Sequence, residues 1–278
     1  MTIGGQAVIE GVLMRSKECY AVAVRLPNGK IKVRRQHAKV LPRFAQLPFI
    51  RGIAALIYML KDGIDALTWS SNQQLGKKEE LSTKELAITV AISLIGGILV
   101  FVGVPFIIAG LISKQGIWFN IIDGLLRLIF LVGYLAVISR MAEMKRIFEY
   151  HGAEHKTIYC HEAQHKVTVS NVQKFPRQHH RCGTSFLFLV MLLSIFLFSF
   201  LSGQWYIKLG GRILLIPIIA SCSYELLKLG DRFHSSWLMQ IVQAPGIWLQ
   251  EISTREPSDS QVEVAIKALE GVLRNQKN

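Results

Sequence analysis

The chain has 278 residues, of which 51% are hydrophobic, and carries a formal net charge of +13 from 32 Lys and Arg against 19 Asp and Glu. With a mean hydropathy of +0.34, and charges that avoid long stretches of sequence, it does not read as an ordinary water-soluble domain. This is the pattern of an integral membrane protein with basic water-facing parts.

Residues 1–15 lack the uninterrupted apolar core and small-residue cleavage site of a signal peptide, so the first true span is expected to act as the membrane signal. In the run from Gly4 to Arg15 the glycines allow close backbone approach. Gln6, Glu10 and Arg15 are its polar residues, and Glu10 could add a carboxylate to a site formed elsewhere. Residues 20–36 alternate around Pro27-Asn28-Gly29 and predict a β-hairpin. Residues 49–69 are apolar but include Arg51, Lys61, Asp62 and Asp65, which predicts an amphipathic helix lying along the membrane surface. Gln73 to Lys84 reads as a polar linker.

Residues 86–112 carry no ionisable side chain, and about 20 helical residues cross a bilayer core. Further spans are expected at 117–139, interrupted by Asp123 and Arg127, at 185–202, and at about 209–229. Asp123 and Arg127 are one turn apart and are expected to neutralise each other inside the bundle. Phe233, Trp237, Leu238, Ile241 and Val242 predict a second interfacial helix before Pro245-Gly246, with Trp237 and Trp248 at headgroup level. Ser258 or Asp259 can cap a last helix whose apolar face is Val262, Ile266, Leu269 and Leu273.

Lys and Arg concentrate in the N-terminal segment and in 140–184, whereas the links at 113–116 and 203–208 each hold a single Lys. The positive-inside rule then places both termini and the 140–184 segment in the cytoplasm of a multi-pass cell-membrane protein. Cys19, Cys160 and Cys182 should there be reduced thiols, with Cys222 within or at the edge of the fourth span, so no disulfide framework is expected. The expected organisation is mainly α. A cytoplasmic β-containing segment (1–48) precedes an interfacial helix and linker (49–84) and two spans (86–139). A cytoplasmic His/Cys segment (140–184), two more spans (185–229) and cytoplasmic amphipathic helices (230–278) follow.

The chemistry concentrates between the second and third spans. His151, Glu154 and His155 are spaced i, i+3 and i+4, so on a helix both imidazoles and the carboxylate share one side. Two imidazoles at that spacing can hold one zinc ion, with Glu154 beside the open position as a base. The order H-x-x-E-H is the inverted zinc-protease motif. His179 and Cys182 are candidate third and fourth ligands, and Glu162 or His161 could substitute. Cys182-Gly183-Thr184 reads as a tight loop suited to a ligand. Glu225 would be the distant ligand if the inverted-protease analogy held, although solvation or pairing with Lys228 is the simpler reading. The plain alternative for His151 and His155 is that they end a long helix continuing from the second span. Mixed His and Cys ligands favour zinc over magnesium or calcium.

The opening segment, Tyr150 to Thr157 (YHGAEHKT), His179 to Phe186 (HHRCGTSF), and Thr254-Arg255-Glu256-Pro257 leading into Gln261 to Ala265 together resemble the YqhQ family. These are bacterial membrane proteins of unknown function, sometimes described as predicted metal-dependent enzymes. The resemblance covers nearly the whole chain. It implies that Gln6, Glu10, Arg15, His151, Glu154, His155, Glu162, His179, Arg181 and Cys182 occupy the family's motif positions. His161, His165 and His180 depart from its pattern and rank below the others as ligands. A fold and a metal are implied, not a reaction.

Two classes of function follow. One is a membrane-embedded, cytoplasm-facing zinc-dependent hydrolase. In it His151, His155, His179 and Cys182 hold the metal and Glu154 activates water. The other is a non-catalytic scaffold in which a structural metal or polar cluster staples the 140–184 connection while the basic surface meets anionic lipid or a protein partner, including a second copy. Three side-chain ligands plus water indicate catalysis, and four indicate a structural ion. A transporter is a third, weaker reading, because four spans without paired broken helices give a monomer no path. The basic charge is already explained by topology, and no RNA-binding motif supports nucleic acid as a partner.

Overall fold

In a computed structural model of the chain, residues 3–38, 42–75, 83–113, 116–233 and 236–273 are described. The N-terminal segment forms four antiparallel strands in sequential order: β1 (Gly4–Val8), β2 (Gly11–Arg15), β3 (Cys19–Arg25) and β4 (Ile31–His37). The predicted hairpin is β3–β4, with Gly29 at φ 81° in its turn. The sequence reading missed β1–β2 because their two-residue link, Ile9-Glu10, has no Asn-Gly or Asp-Gly signature, and Glu10 itself adopts φ 52°.

Successive side chains of β2 and β3 point to opposite faces, and both faces are buried. Val12, Met14, Ala21 and Ala23 enter one core, and Leu13, Tyr20, Val22 and Val24 another. On the second face lies α1 (Ile50–Gln74), with Ala66 and Trp69 against the sheet. The helix expected at 49–69 is thus present. Its acidic residues serve the sheet: Asp62 pairs with Arg15, and Asp65 pairs with Arg34 and accepts from the Tyr20 hydroxyl at 3.0 Å. Of the expected linker 73–84, helix covers the start, while residues 76–82 lie outside the described ones.

Helix α2 (Thr83–Ile98) passes through a π-helical turn, Leu99–Gly103, into α3 (Val104–Ile112), and α4 (Ile117–Ile138) follows. A break at 139–141 separates α4 from α5 (Ala142–Glu162), so the HxxEH segment is not an extension of the span. Then come the short α6 (Val169–Val172), α7 (Gly183–Phe198), α8 (Trp205–Arg232), α9 (Trp237–Ser253) and α10 (Asp259–Leu273). Among the described residues, three helical stretches are long and apolar enough to cross a membrane, Ile88–Ile112, Ile117–Ile138 and Trp205–Arg232. Their outward faces carry exposed Ile92, Leu111, Ile129 and Leu214. The span expected at 185–202 is an apolar helix of 16 residues, shorter than the about 20 that a full crossing uses. Asp123 and Arg127 do pair, at 3.2 Å, and are buried.

The sequence reading ended the helix after Trp237 at Pro245-Gly246, but α9 continues through both to Ser253. Packing outweighs the hydrogen bond that Pro245 removes: Gly246 lies against Ser185 of α7, and Leu249 joins Leu131 and Leu135 of α4 in one cluster. At the start of α10, Gln261 Oε1 accepts from the Ser258 backbone N–H at 2.8 Å and from its hydroxyl at 3.0 Å. That is the back-reaching half of a capping box. Val262, Ile266 and Leu269 are buried as expected, in the core that α10 shares with α5 and the sheet.

Candidate metal centre

Helix α5 presents His151, Glu154 and His155 from successive turns, and Cys182 meets them from the N-cap of α7. The ligand atoms of His151, His155 and Cys182 lie within 4.8 Å of one another. His155 and Cys182 are buried, and His151 is partly so.

The tautomers follow from the carbonyls around the rings. His151 Nδ1 lies 2.8 Å from the Ser253 carbonyl oxygen, and His155 Nδ1 lies 2.6 Å from that of Arg177. A carbonyl only accepts, so each Nδ1 carries the proton. That leaves both Nε2 atoms to face the cluster, the arrangement by which a histidine that binds a metal is oriented. His151 Nε2 faces Cys182 Sγ at 3.3 Å.

The electrostatics favour an ionised thiol. Burial opposes the Cys182 thiolate, but His151 and His155 stabilise it more strongly and hold the thiol well below its ordinary range. Its position at the start of α7, where Sγ accepts from the Thr184 N–H at 3.4 Å, acts in the same direction. Burial likewise opposes the His151 cation, but the Cys182 thiolate and Glu154 raise that imidazole to about 9. Glu154 is buried, and burial pushes its carboxyl up against the pull of His155 and His151. Glu154 Oε2 is 3.9 Å from His155 Nε2. From the far side β1 closes on this carboxylate: a Cβ at Gly5 would stand 2.9 Å from Glu154 Cγ, so only glycine fits at that strand position.

His179 stands next to these three side chains, outside the group they form. Its ring centroid is 5.5 Å from that of His155. Its Nδ1 accepts from the Arg181 backbone N–H at 3.1 Å, which fixes the proton on Nε2. Nε2 then faces Glu162 Oε2 at 3.6 Å, beyond hydrogen-bond distance, and is buried with no hydrogen-bond partner among the described residues. Burial lowers the His179 imidazole to about 4. Glu162 is held at about 2 although burial opposes its charge, because His179 and Arg181 stabilise the carboxylate. Arg181 also reaches Asp231 at 3.2 Å, and Asp231 meets His180 Nε2 at 3.0 Å. His161 is half-buried outside the cluster, and His165 is exposed against Phe175.

The other secondary candidates are engaged elsewhere. Gln6 packs on Gly63 of α1, Glu10 pairs with Arg146, Arg15 with Asp62, and Glu225 with Arg51. Residues that the sequence reading did not single out shape the site. Ser253 and Arg177 supply the orienting carbonyls. Gln250, fully buried, clamps His179 by accepting from its N–H at 2.7 Å and donating to its carbonyl at 2.9 Å. Backbone carbonyls leave no mark in a sequence, so only Gln250, a polar side chain on the buried face of α9, offered any signal.

A family model described as "Protein of unknown function (DUF1385)" matches residues 47–275. The chain is 35% identical over 292 residues to the uncharacterized protein YqhQ of Bacillus subtilis (strain 168), an alignment covering 98% of this chain and 92% of that protein. No solved structure matches. The chain therefore belongs to the YqhQ-like DUF1385 family of proteins of unknown function.

Proposed function

We propose that the protein is a zinc-dependent hydrolase embedded in the cell membrane, with its site on the cytoplasmic face. The observation that carries this reading is the pair of carbonyl-bound Nδ1 atoms that leave His151 Nε2 and His155 Nε2 converging with Cys182 Sγ. Three side chains would hold the metal, a count that leaves one position open, as catalytic sites do. Zinc held there would supply Lewis-acid polarisation of a carbonyl or phosphoryl oxygen. Glu154, enclosed by β1 and α5, would take the proton from the attacking water at its carboxylate and return it to the leaving group. The raised affinity of this buried carboxyl for a proton suits both roles. His179 and Glu162 position the 179–182 loop, and with it Cys182.

The topology supporting this reading has four crossings. The core shared by the sheet at 4–37 and α10 at 259–273 supports placing these two elements on one side of the membrane, and so an even number of crossings. With three long apolar stretches among the described residues, α7 would be the fourth crossing, and the basic 140–184 segment favours the cytoplasm for that side.

Elemental analysis of the full chain, purified in detergent without a His-tag, tests the site. Near-stoichiometric zinc that is lost in His151→Ala and Cys182→Ser but kept in Glu154→Gln is the expected result. It would justify a screen of ester, peptide and phosphoester substrates against the Glu154→Gln control. No metal in a folded wild-type protein would overturn the reading.

A further inference from the structure

Far from the metal centre, the membrane-spanning bundle buries more positive charge than it neutralises. Arg127 of α4 and Lys208 and Arg212 of α8 are 3%, 5% and 0% exposed, and Asp123, 1% exposed, is the buried carboxylate that the two arginines meet. Asp123 Oδ2 lies 3.2 Å from Arg127 Nε and 3.1 Å from Arg212 Nη2, and Asn120 Oδ1 lies 3.4 Å from the same Nη2. Three cations against one anion leave an excess of two charges. Arg127 Nη2, Arg212 Nε and Arg212 Nη1 are buried with no hydrogen-bond partner among the described residues, as is Asp123 Oδ1.

The aromatic neighbours keep these cations in place without satisfying them. The Arg212 guanidinium lies over Phe106, Phe119 and Phe198 at 4.6, 5.2 and 5.3 Å, Arg127 over Phe198 at 4.8 Å, and the Lys208 ammonium over Phe119 at 4.5 Å. A ring face attracts a cation, but a stacked guanidinium still has its N–H fork free in its own plane, the geometry that grips oxyanions bidentately. Lys208 stands in the first turn of α8, where the helix dipole adds positive potential. The metal centre follows the last turn of α4, about 20 Å further along the helix.

We propose that this cluster is a phosphate-class oxyanion site, formed by Arg127, Arg212 and Lys208, with Asp123 setting the spacing of the two guanidiniums. The oxyanion can come from a phospholipid headgroup of the outer leaflet or from free phosphate.

The test uses the full chain in non-ionic detergent and phosphate-free buffer. Thermal unfolding is followed against inorganic phosphate, and native mass spectrometry follows retention of phosphatidylglycerol against phosphatidylcholine. A midpoint that rises with phosphate identifies the free anion, and selective retention of phosphatidylglycerol identifies the lipid; either supports the site. Arg212→Gln and Arg127→Gln should each weaken the responding probe by about tenfold or more, the scale of one charge-assisted hydrogen bond. If Arg212→Gln does not fold, Arg127→Gln and Lys208→Gln carry the same comparison. Asp123→Asn should tighten the probe, because it removes the competing carboxylate. Neither probe binding to wild type, or Asp123→Asn leaving a bound probe unchanged, overturns the proposal and leaves a self-contained ion cluster.

Discussion

The hydrogen of Gly152 faces the carbonyl oxygen of Arg255, with no room for a methyl group between them. This contact joins two motifs that lie about a hundred residues apart. The segment after α9 crosses α5 so closely that Arg255 N–H donates to the Phe148 carbonyl at 2.9 Å, and the same crossing brings the Ser253 carbonyl to His151. The glycine within H-G-A-E-H thus serves the packing that orients the first histidine.

Gly152→Ala should therefore lose stability and metal together. Overpacking of this kind costs about 1–3 kcal/mol, and displacing residues 253–255 frees His151 Nδ1 from its acceptor. Differential scanning fluorimetry and zinc content of the same preparation check this. A variant as stable and as zinc-loaded as wild type would show that the crossing is not needed.

Zinc affinity should rise with pH. The metal-free His151 imidazole holds its Nε2 proton until about 9, so below that value zinc competes with a proton for the same atom. Cys182 is already ionised and adds no second proton. The apparent affinity should increase about tenfold per unit between about pH 6.5 and 8.5, with one proton released per ion. Calorimetry in buffers of different ionisation enthalpy measures that proton, and an affinity that does not change with pH would show that zinc displaces none from His151.

Glu162 should govern the acid limb of stability. Its folded-state value, about 2, is below the ordinary 4.5. The carboxylate thus contributes fully above about pH 5, and that contribution disappears as pH falls through 2. Glu162→Gln should be less stable than wild type at neutral pH, approach it near pH 2, and keep its zinc. His179→Gln should also keep zinc, since His179 lies outside the group formed by His151, His155 and Cys182. Loss of the metal in His179→Gln would instead make it a fourth ligand and point to a structural ion.

Both chain ends should lie in the cytoplasm. Fluorescent-protein fusions at either end should glow, and alkaline phosphatase fusions at the same points should be inactive. An active C-terminal phosphatase would mean that α7 does not cross.

Much of the molecule was legible from its residues because the relevant physics is local. A charge-free stretch such as 86–112 can only be paired with lipid or other apolar helices, and a spacing of i, i+3, i+4 puts His151, Glu154 and His155 on one side wherever the helix lies. The turn at Pro27-Asn28-Gly29 and the apolar face of α10 are equally local. Tertiary structure alone decided the rest. Glu10 turns β1 into β2 without a turn dipeptide because both faces of the sheet are covered, and α9 runs through Pro245 because Gly246 fits against Ser185. His151 and His155 became candidate ligands through the carbonyls of Ser253 and Arg177, and the Arg181 N–H fixed the tautomer of His179. Every residue carries the same backbone N–H and carbonyl, so a sequence cannot show which imidazole nitrogen they will meet; only the folded chain can.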